Sequence, residues 1–281
     1  MGDATTERAS AARRDEVRAA FVRERGFWAP AFEPILRVDP DYLAAYVEFS
    51  SGAWRRGSLE PHVKELMYIA VDAAVTHLHG GGTAAHIRHA LRRGATPNEI
   101  VSVLELVSLL GLQSLEVGIP ALLAACGESP PRCPSPSRCP SSSPATGSAG
   151  EDAWLDGLAS LDPAGGEAAR RWRDSVRARS PLAPKVIELV GVAVNASTTH
   201  LNAAATARHL RAALAAGATA GEVAEVLEIA SVLGIHTATM AMPMLLAEVG
   251  ADGPGGEPAR AVNESDRPRA RSDSADPSEP G

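Results

Sequence analysis

One glutamate and two histidines recur in this sequence at a fixed spacing. Glu65, His77 and His86 are followed 123 residues later by Glu188, His200 and His209. A carboxylate beside an imidazole is minimal equipment for moving protons near neutral pH, because a free imidazole titrates near 6.5. His86 and His209 are the candidates for general acid and base. They are the same residue in both copies although their neighbours differ, Ala85 against Arg208 and His89 against Ala212. Glu65 and Glu188 are candidate proton acceptors or histidine partners, although a carboxylate near a helix start also suits the positive end of the helix dipole. His77 and His200 fall at the expected end of a helix, where an imidazole satisfies the last carbonyls. Their other role is a second polar group at the rim of a pocket.

The remaining histidines are single. His79 and His89 face Asn202 and Ala212 in the second copy, and His62 and His236 are also unrepeated. His86 and His89 share a helix face at i, i+3, but the pair is not duplicated, so no metal site is expected, and His89 is assigned to the surface. No cofactor is expected either. "GGG" at 80–82 lacks a phosphate-loop pattern and becomes "AAA" in the second copy, which makes it a turn or a helix start. No nucleophile elbow and no HExxH is present. Cys126, Cys133 and Cys139 are odd in number and confined to one Pro/Ser-rich stretch, so they read as linker thiols rather than disulfides or zinc ligands.

The elements that must position these groups are themselves repeated. At the offset of 123, Pro61 falls on Pro184, "THL" 76–78 on "THL" 199–201, "GAT" 94–96 on "GAT" 217–219, "VLE" 103–105 on "VLE" 226–228 and Pro120 on Pro243. About half the positions from 61 to 124 are identical. A period this long marks a duplicated domain rather than a solenoid. The expected organisation is an N-terminal tail with a helix (1–27), repeat 1 (28–126), a Pro/Ser-rich linker (127–151), repeat 2 (152–249) and a disordered tail (250–281). The N-terminal helix is expected over about 6–25. Val63, Leu66, Met67, Ile69 and Ala70 have helical spacing, and that helix should run from Pro61 to about Leu78. The next spans 83–93, with Gly94 in the left-handed position that closes it. "TPNE" and "TAGE" then open further helices as capping boxes, Thr96 with Glu99 and Thr219 with Glu222. A last helix covers about 112–125, with Pro120 inside it. Nothing alternates with period two, so the fold class is all-α.

Bulk properties narrow the function. Of the 281 residues, 45% are hydrophobic and only 4% aromatic, a mix that favours helices. The net charge of -7 with no long basic run argues against nucleic acid. No secretory signal is visible and no uninterrupted apolar run reaches the ~18 residues of a membrane span. A cytoplasmic protein without membrane contact is expected.

"ELMYIAVDAAVTHL…AAHIRHALRRGATPNEIVSVLELVSLLG" resembles the carboxymuconolactone decarboxylase-like domain shared with the AhpD alkylhydroperoxidases. "AALAAGATAGEVAEVLEIASVLG" repeats the match, over roughly 30–125 and 152–249 in all. The resemblance implies two tandem all-α units, a small-molecule substrate and assembly into homo-oligomers. The peroxidase branch uses a CxxC pair followed by a histidine, with a glutamate upstream. Here the first redox position aligns with His77 or His200, and without a thiolate that chemistry loses its nucleophile. The decarboxylase branch removes CO₂ from an unsaturated lactone acid and reprotonates the dienolate without a cofactor. It would use His86 and His209 as proton donors, Glu65 and Glu188 as relay groups, and His77 and His200 to hold the substrate carboxylate. A thiol peroxidase relative and a non-catalytic small-molecule-binding oligomer are the alternatives.

Overall fold

The computed structural model describes residues 2–128 and 152–250. Most of the linker and tail lies outside these residues, as do Cys133 and Cys139. Among the described residues the chain is all-α. The first part comprises α1 (Gly2–Arg25), α2 (Glu33–Val38), α3 (Pro40–Ser50), α4 (Gly52–Arg56), α5 (Pro61–Ala73), α6 (Gly80–Arg92), α7 (Pro97–Ser108) and α8 (Gln113–Glu128). The second comprises α9 (Ala153–Leu161), α10 (Pro163–Arg179), α11 (Pro184–Ala196), α12 (Ala203–Ala215), α13 (Ala220–Ser231) and α14 (Ile235–Glu248).

Local signals in the sequence account for most boundaries. Pro61 and Pro184 stand in the first turns of α5 and α11, where the missing N–H is harmless. Both capping boxes form, Thr96 with Glu99 and Thr219 with Glu222. Gly94 (φ +97°) and Gly217 (φ +90°) take the left-handed conformation that ends α6 and α12.

The two repeats are not separate bodies. α5 and α11 pack against each other at the centre, and α7 and α13 pack on both. One core results, joining Leu66, Met67, Ile69 and Val103 of the first repeat to Leu189, Val190, Val226 and Ile229 of the second. Each such fully buried side chain contributes about 1.5–3 kcal/mol. The repeats also exchange their last helices: α8 packs on α9, and α14 packs on α2. A buried ion pair ties them further. Lys64 Nζ lies 3.1 Å from Glu225 Oε2, whose carboxylate also accepts the backbone N–H groups of Ser58 and Leu59.

Several expectations need correction. α5 stops at Ala73 rather than near Leu78, and α6 starts at Gly80 rather than Thr83. The backbone leaves the helix at Ala74 (ψ 138°), Leu78 turns left-handed (φ +52°), and His79 N–H donates to the Asp72 carbonyl. The second copy repeats the turn, with Leu201 at φ +50° and Asn202 N–H on the Asn195 carbonyl. A left-handed leucine costs about 1–2 kcal/mol, and the closed turn and the packing of the hairpin offset it. "GGG" is therefore a helix start, capped by His79, whose side chain accepts the Gly82 N–H. The N-terminal segment is no tail: its helix begins at Gly2, and Val17 and Phe21 pack with Ile35, Leu36, Leu43 and Ile235 in a second core. Finally, the stretches 97–127 and 220–248 are long and apolar enough to cross a membrane by length and composition. Each is two helices joined by a 3₁₀ turn, and α7 and α13 are core helices packed on α5 and α11.

Candidate functional site

In the first repeat the α5–α6 hairpin brings Glu65 and His86 together, 21 residues apart in sequence. Glu65 is 1% exposed. His86 Nδ1–H donates to Glu65 Oε2 at 2.7 Å, and Arg93 Nε–H donates to Oε1 at 3.1 Å. Both oxygens are thus engaged by cationic or polar donors, which is what allows a carboxylate to be buried. Glu65 lies beyond the first turn of α5, so the helix dipole does not explain its burial. Tyr68 stacks on the His86 ring at 4.4 Å and fixes its plane.

A cavity of about 500 Å³ opens in front of this pair. Phe21, Phe27, Phe32, Tyr46, Trp54 and Tyr68 give it aromatic walls, and Arg25, Glu65, His86 and Arg93 give it polar ones. The chain therefore concentrates its scarce aromatic residues here. Part of the wall comes from Phe21, Arg25 and Phe27, in the 1–27 segment read from the sequence as an N-terminal tail with a helix. His89 was assigned to the surface and is in fact buried, with its ring edge-on to Phe27 at 4.2 Å and Nδ1 3.7 Å from Glu65 Oε1. Burial holds its pKa below the ordinary histidine value.

The far wall of the same cavity holds a second polar group. Asp72, His79 and His236 line it, and His77 completes the cluster from behind. His77 is not at a helix terminus: it lies in the turn after α5, and its Nε2 is 2.8 Å from His236 Nδ1. His236 belongs to the second repeat and arrives because α14 crosses to the first. Read as an unrepeated residue it carried no signal; only the helix exchange gives it a role. Burial pushes the Asp72 carboxyl up to about 6 and drops His236 to about 3, the latter helped by His79, His77 and His86. His77 and His79 are also lowered, by burial first.

The second repeat keeps the pair and changes its surroundings. His209 Nδ1–H donates to Glu188 Oε2 at 2.8 Å. Arg177 bonds the other oxygen, Oε1. Arg177 stands 123 residues after Trp54, so the two sites recruit their arginine from different positions. Burial alone would raise the Glu188 carboxyl, but His209 and Arg177 outweigh it and hold it below the usual carboxylate range. Gly191 replaces Tyr68, and a Cβ there would come within 2.4 Å of His209 Nδ1, so the ring lies directly on the backbone. The adjoining cavity is about 350 Å³ and is lined by Glu116, Asp152, Arg173, Arg177 and Arg208. Arg208 pairs with Glu116 and Arg173 with Asp152. His200 Nε2–H donates to Gln113 Oε1 at 2.7 Å, so the first repeat supplies a residue here in turn. The structure therefore unites Glu65 with His86 and Glu188 with His209. It sets His77 and His200 behind them against the partner repeat. Among the described residues no cysteine lines either cavity; Cys126 is free on α8.

Comparison with known proteins agrees with this architecture. Residues 40–126 and again 163–243 match the model of the Carboxymuconolactone decarboxylase family. No curated protein matches the chain. Among solved structures, a "putative gamma-carboxymuconolactone decarboxylase subunit" from Burkholderia xenovorans LB400 shares 34% identity, covers 83% of this chain with 96% of its own, and superposes with a TM-score of 0.72. With two matched segments on one continuous helical core, the chain belongs to the carboxymuconolactone decarboxylase family.

Proposed function

We propose that the protein is an acid–base enzyme acting on a small carboxylated, unsaturated substrate such as a lactone acid, with the first-repeat cavity as its principal site. The observation that carries this is the Glu65–His86 pair: a fully buried carboxylate committed to Nδ1 of an imidazole on the wall of an aromatic-lined cavity. That commitment leaves Nε2 as the nitrogen offered to a reactant and fixes the orientation of the ring. In a decarboxylation the C–CO₂⁻ bond breaks and its electron pair passes into the conjugated carbonyl. Protonated His86 then delivers its Nε2 proton to the resulting dienolate carbon, CO₂ leaves, and solvent restores the proton. Glu65 acts by orienting His86 through its hydrogen bond to Nδ1. Arg25 and Arg93, on the same wall, supply positive charge toward a substrate carboxylate and a developing enolate oxygen. The pair by itself needs no cofactor.

The second site carries the same pair in a smaller cavity crossed by ion pairs, which favours the first repeat as the one that turns over. The family relative is named as a subunit, and exposed Val75, Leu78 and Leu201 flank the junction where Thr76 and Thr199 meet at 3.3 Å. These support a homo-oligomer. The decisive test is CO₂ release from carboxylated butenolides by wild type, His86→Asn and His209→Asn. His86→Asn should lower kcat about 10²–10⁴-fold, the usual worth of a positioned acid–base group, and His209→Asn much less. Full turnover in the His86→Asn, His209→Asn double variant would end the reading.

A further inference from the structure

We propose that the first repeat holds a divalent transition-metal ion, of the Zn²⁺ or Co²⁺ type, between Asp72, His77, His79 and His236. The proposal goes beyond the acid–base reading and does not rest on it.

Three imidazoles and one carboxylate are a donor set suited to such ions. One ligand atom from each of the four residues lies within 4.8 Å of all the others. His77 Nε2 and His236 Nδ1 lie 4.0 and 3.9 Å from Asp72 Oδ1, and His79 Nδ1 lies 3.8 Å from Asp72 Oδ2. Ligands about 2.1 Å from a tetrahedral ion stand about 3.4 Å apart. The separations in the cluster bracket that value, so side-chain adjustments well under an ångström per ligand close the site. The 2.8 Å contact between His77 and His236 is a hydrogen bond whose proton an ion would replace.

An independent observation points to a ligand. Asp72 is 1% exposed, and its Oδ2 is buried with no hydrogen-bond partner. A buried carboxylate oxygen without a donor costs free energy unless something positive meets it. The backbone packs closely against it, and only glycine fits there: a Cβ on Gly82 would fall 2.1 Å from that oxygen and 2.4 Å from His79 Nδ1, so a larger residue would drive the two groups apart.

The second repeat shows the same place built for hydrogen bonds alone. At the offset of 123 its residues are Asn195, His200 and Asn202, and Gln113 stands where the first repeat receives His236. There Gln113 donates to Asn195 Oδ1 at 2.6 Å and accepts from Asn202 Nδ2 at 2.6 Å and His200 Nε2 at 2.7 Å. Asn195 Nδ2 donates to the Gly191 carbonyl at 2.8 Å. Buried Ala205 stands in place of Gly82. One copy thus carries a closed amide network and the other three imidazoles beside a carboxylate oxygen with no donor, where an ion would displace the Gly82 N–H from His79 Nδ1 and the proton between His77 and His236. The nearby Glu65, His86 and His89 group is the weaker cation candidate, because Arg93 already occupies Glu65.

The test is titration of the untagged, chelator-stripped full chain with Zn²⁺ by calorimetry, and with Co²⁺ by its ligand-field absorption. One equivalent per chain is expected, bound at least 100-fold more tightly than by the variant Asp72→Asn, His79→Asn, His236→Gln. These substitutions install residues the second repeat already tolerates. The converse variant Asn195→Asp, Asn202→His, Gln113→His, Ala205→Gly should gain a second equivalent, which keeps the test informative if the first variant misfolds. His86→Asn should still take up the ion. Wild-type binding no tighter than that of the triple variant, or binding lost on His86→Asn and kept in the triple variant, would overturn the assignment. Because uptake is read without turnover, its failure is distinct from failure of the proposed decarboxylation.

Discussion

Replacing Asp72 by Asn should make the metal-free protein more stable at alkaline pH. Asp72 is buried, and burial raises its carboxyl from the ordinary 3.8 to about 6. That difference corresponds to about 3 kcal/mol against the charged form in the folded state. An Asn of the same shape removes the charge, and its amide has a local acceptor in the Tyr68 carbonyl, as Asn195 has in Gly191. Allowing for an imperfect amide fit, a gain of about 1–3 kcal/mol is expected at pH 8, or roughly 3–10 °C in Tm for a chain of this size. The sign follows from proton counting. Between pH 3.8 and about 6 the folded carboxyl binds its proton more firmly than the unfolded one, so wild type loses stability as pH rises through that window. The Asn variant does not. Its advantage should therefore be full above about pH 6 and vanish below about pH 4. His236 titrates in the opposite sense, but it is present in both proteins and largely cancels in the difference. Urea denaturation followed by far-UV circular dichroism at pH 4, 6 and 8, with a chelator present, measures the effect. A variant less stable than wild type at pH 8, or a difference that is flat with pH, would refute the reasoning. With Zn²⁺ at about 1,000 times its Kd the order should invert, since binding adds about 4.1 kcal/mol to wild type.

Removing the carboxylate of Glu225 by Glu225→Ala should cost about 3–5 kcal/mol, because Lys64 is left buried with the Ala53 carbonyl and the Ser58 and Leu59 amides lose their acceptor. Denaturant titration reads it directly, and a loss below about 1 kcal/mol would mean the pair does not hold the repeats together. Burial alone would raise the Glu225 carboxyl, but those amides and Lys64 hold it below its usual range, so this contribution is present above the ordinary glutamate range and is lost as acidification passes below it. Light scattering after size exclusion should give a mass that is a multiple of 29.2 kDa. Leu78→Glu with Leu201→Glu should reduce it to the monomer; an unchanged assembly would place the interface elsewhere.

By itself the sequence determined the duplication, the all-α class, the capping boxes and the left-handed Gly94, and it offered a Glu–His partnership as one of two readings. Each of these rests on local chemistry or on a repeat that needs no coordinates. Proline at N1, Thr with Glu three residues on, and glycine after a helix act within one turn of chain. The Glu and His fall on facing sides of a hairpin whose two helices are themselves legible. Tertiary structure alone decided the rest. The early end of α5 depends on a left-handed leucine, which local propensity disfavours and only the packed hairpin sustains. The aromatic cavity depends on α1 folding back onto the core. His89 turned inward because Phe27 covers it. His236 meets His77 across 159 residues because α14 crosses to the other repeat, a contact no periodicity encodes. A fixed offset in the sequence matches equivalent positions between copies, yet the residues that share a site here are non-equivalent ones from opposite copies. That exchange is why one repeat closes an amide network and the other assembles three histidines around a carboxylate with one oxygen lacking a hydrogen-bond donor.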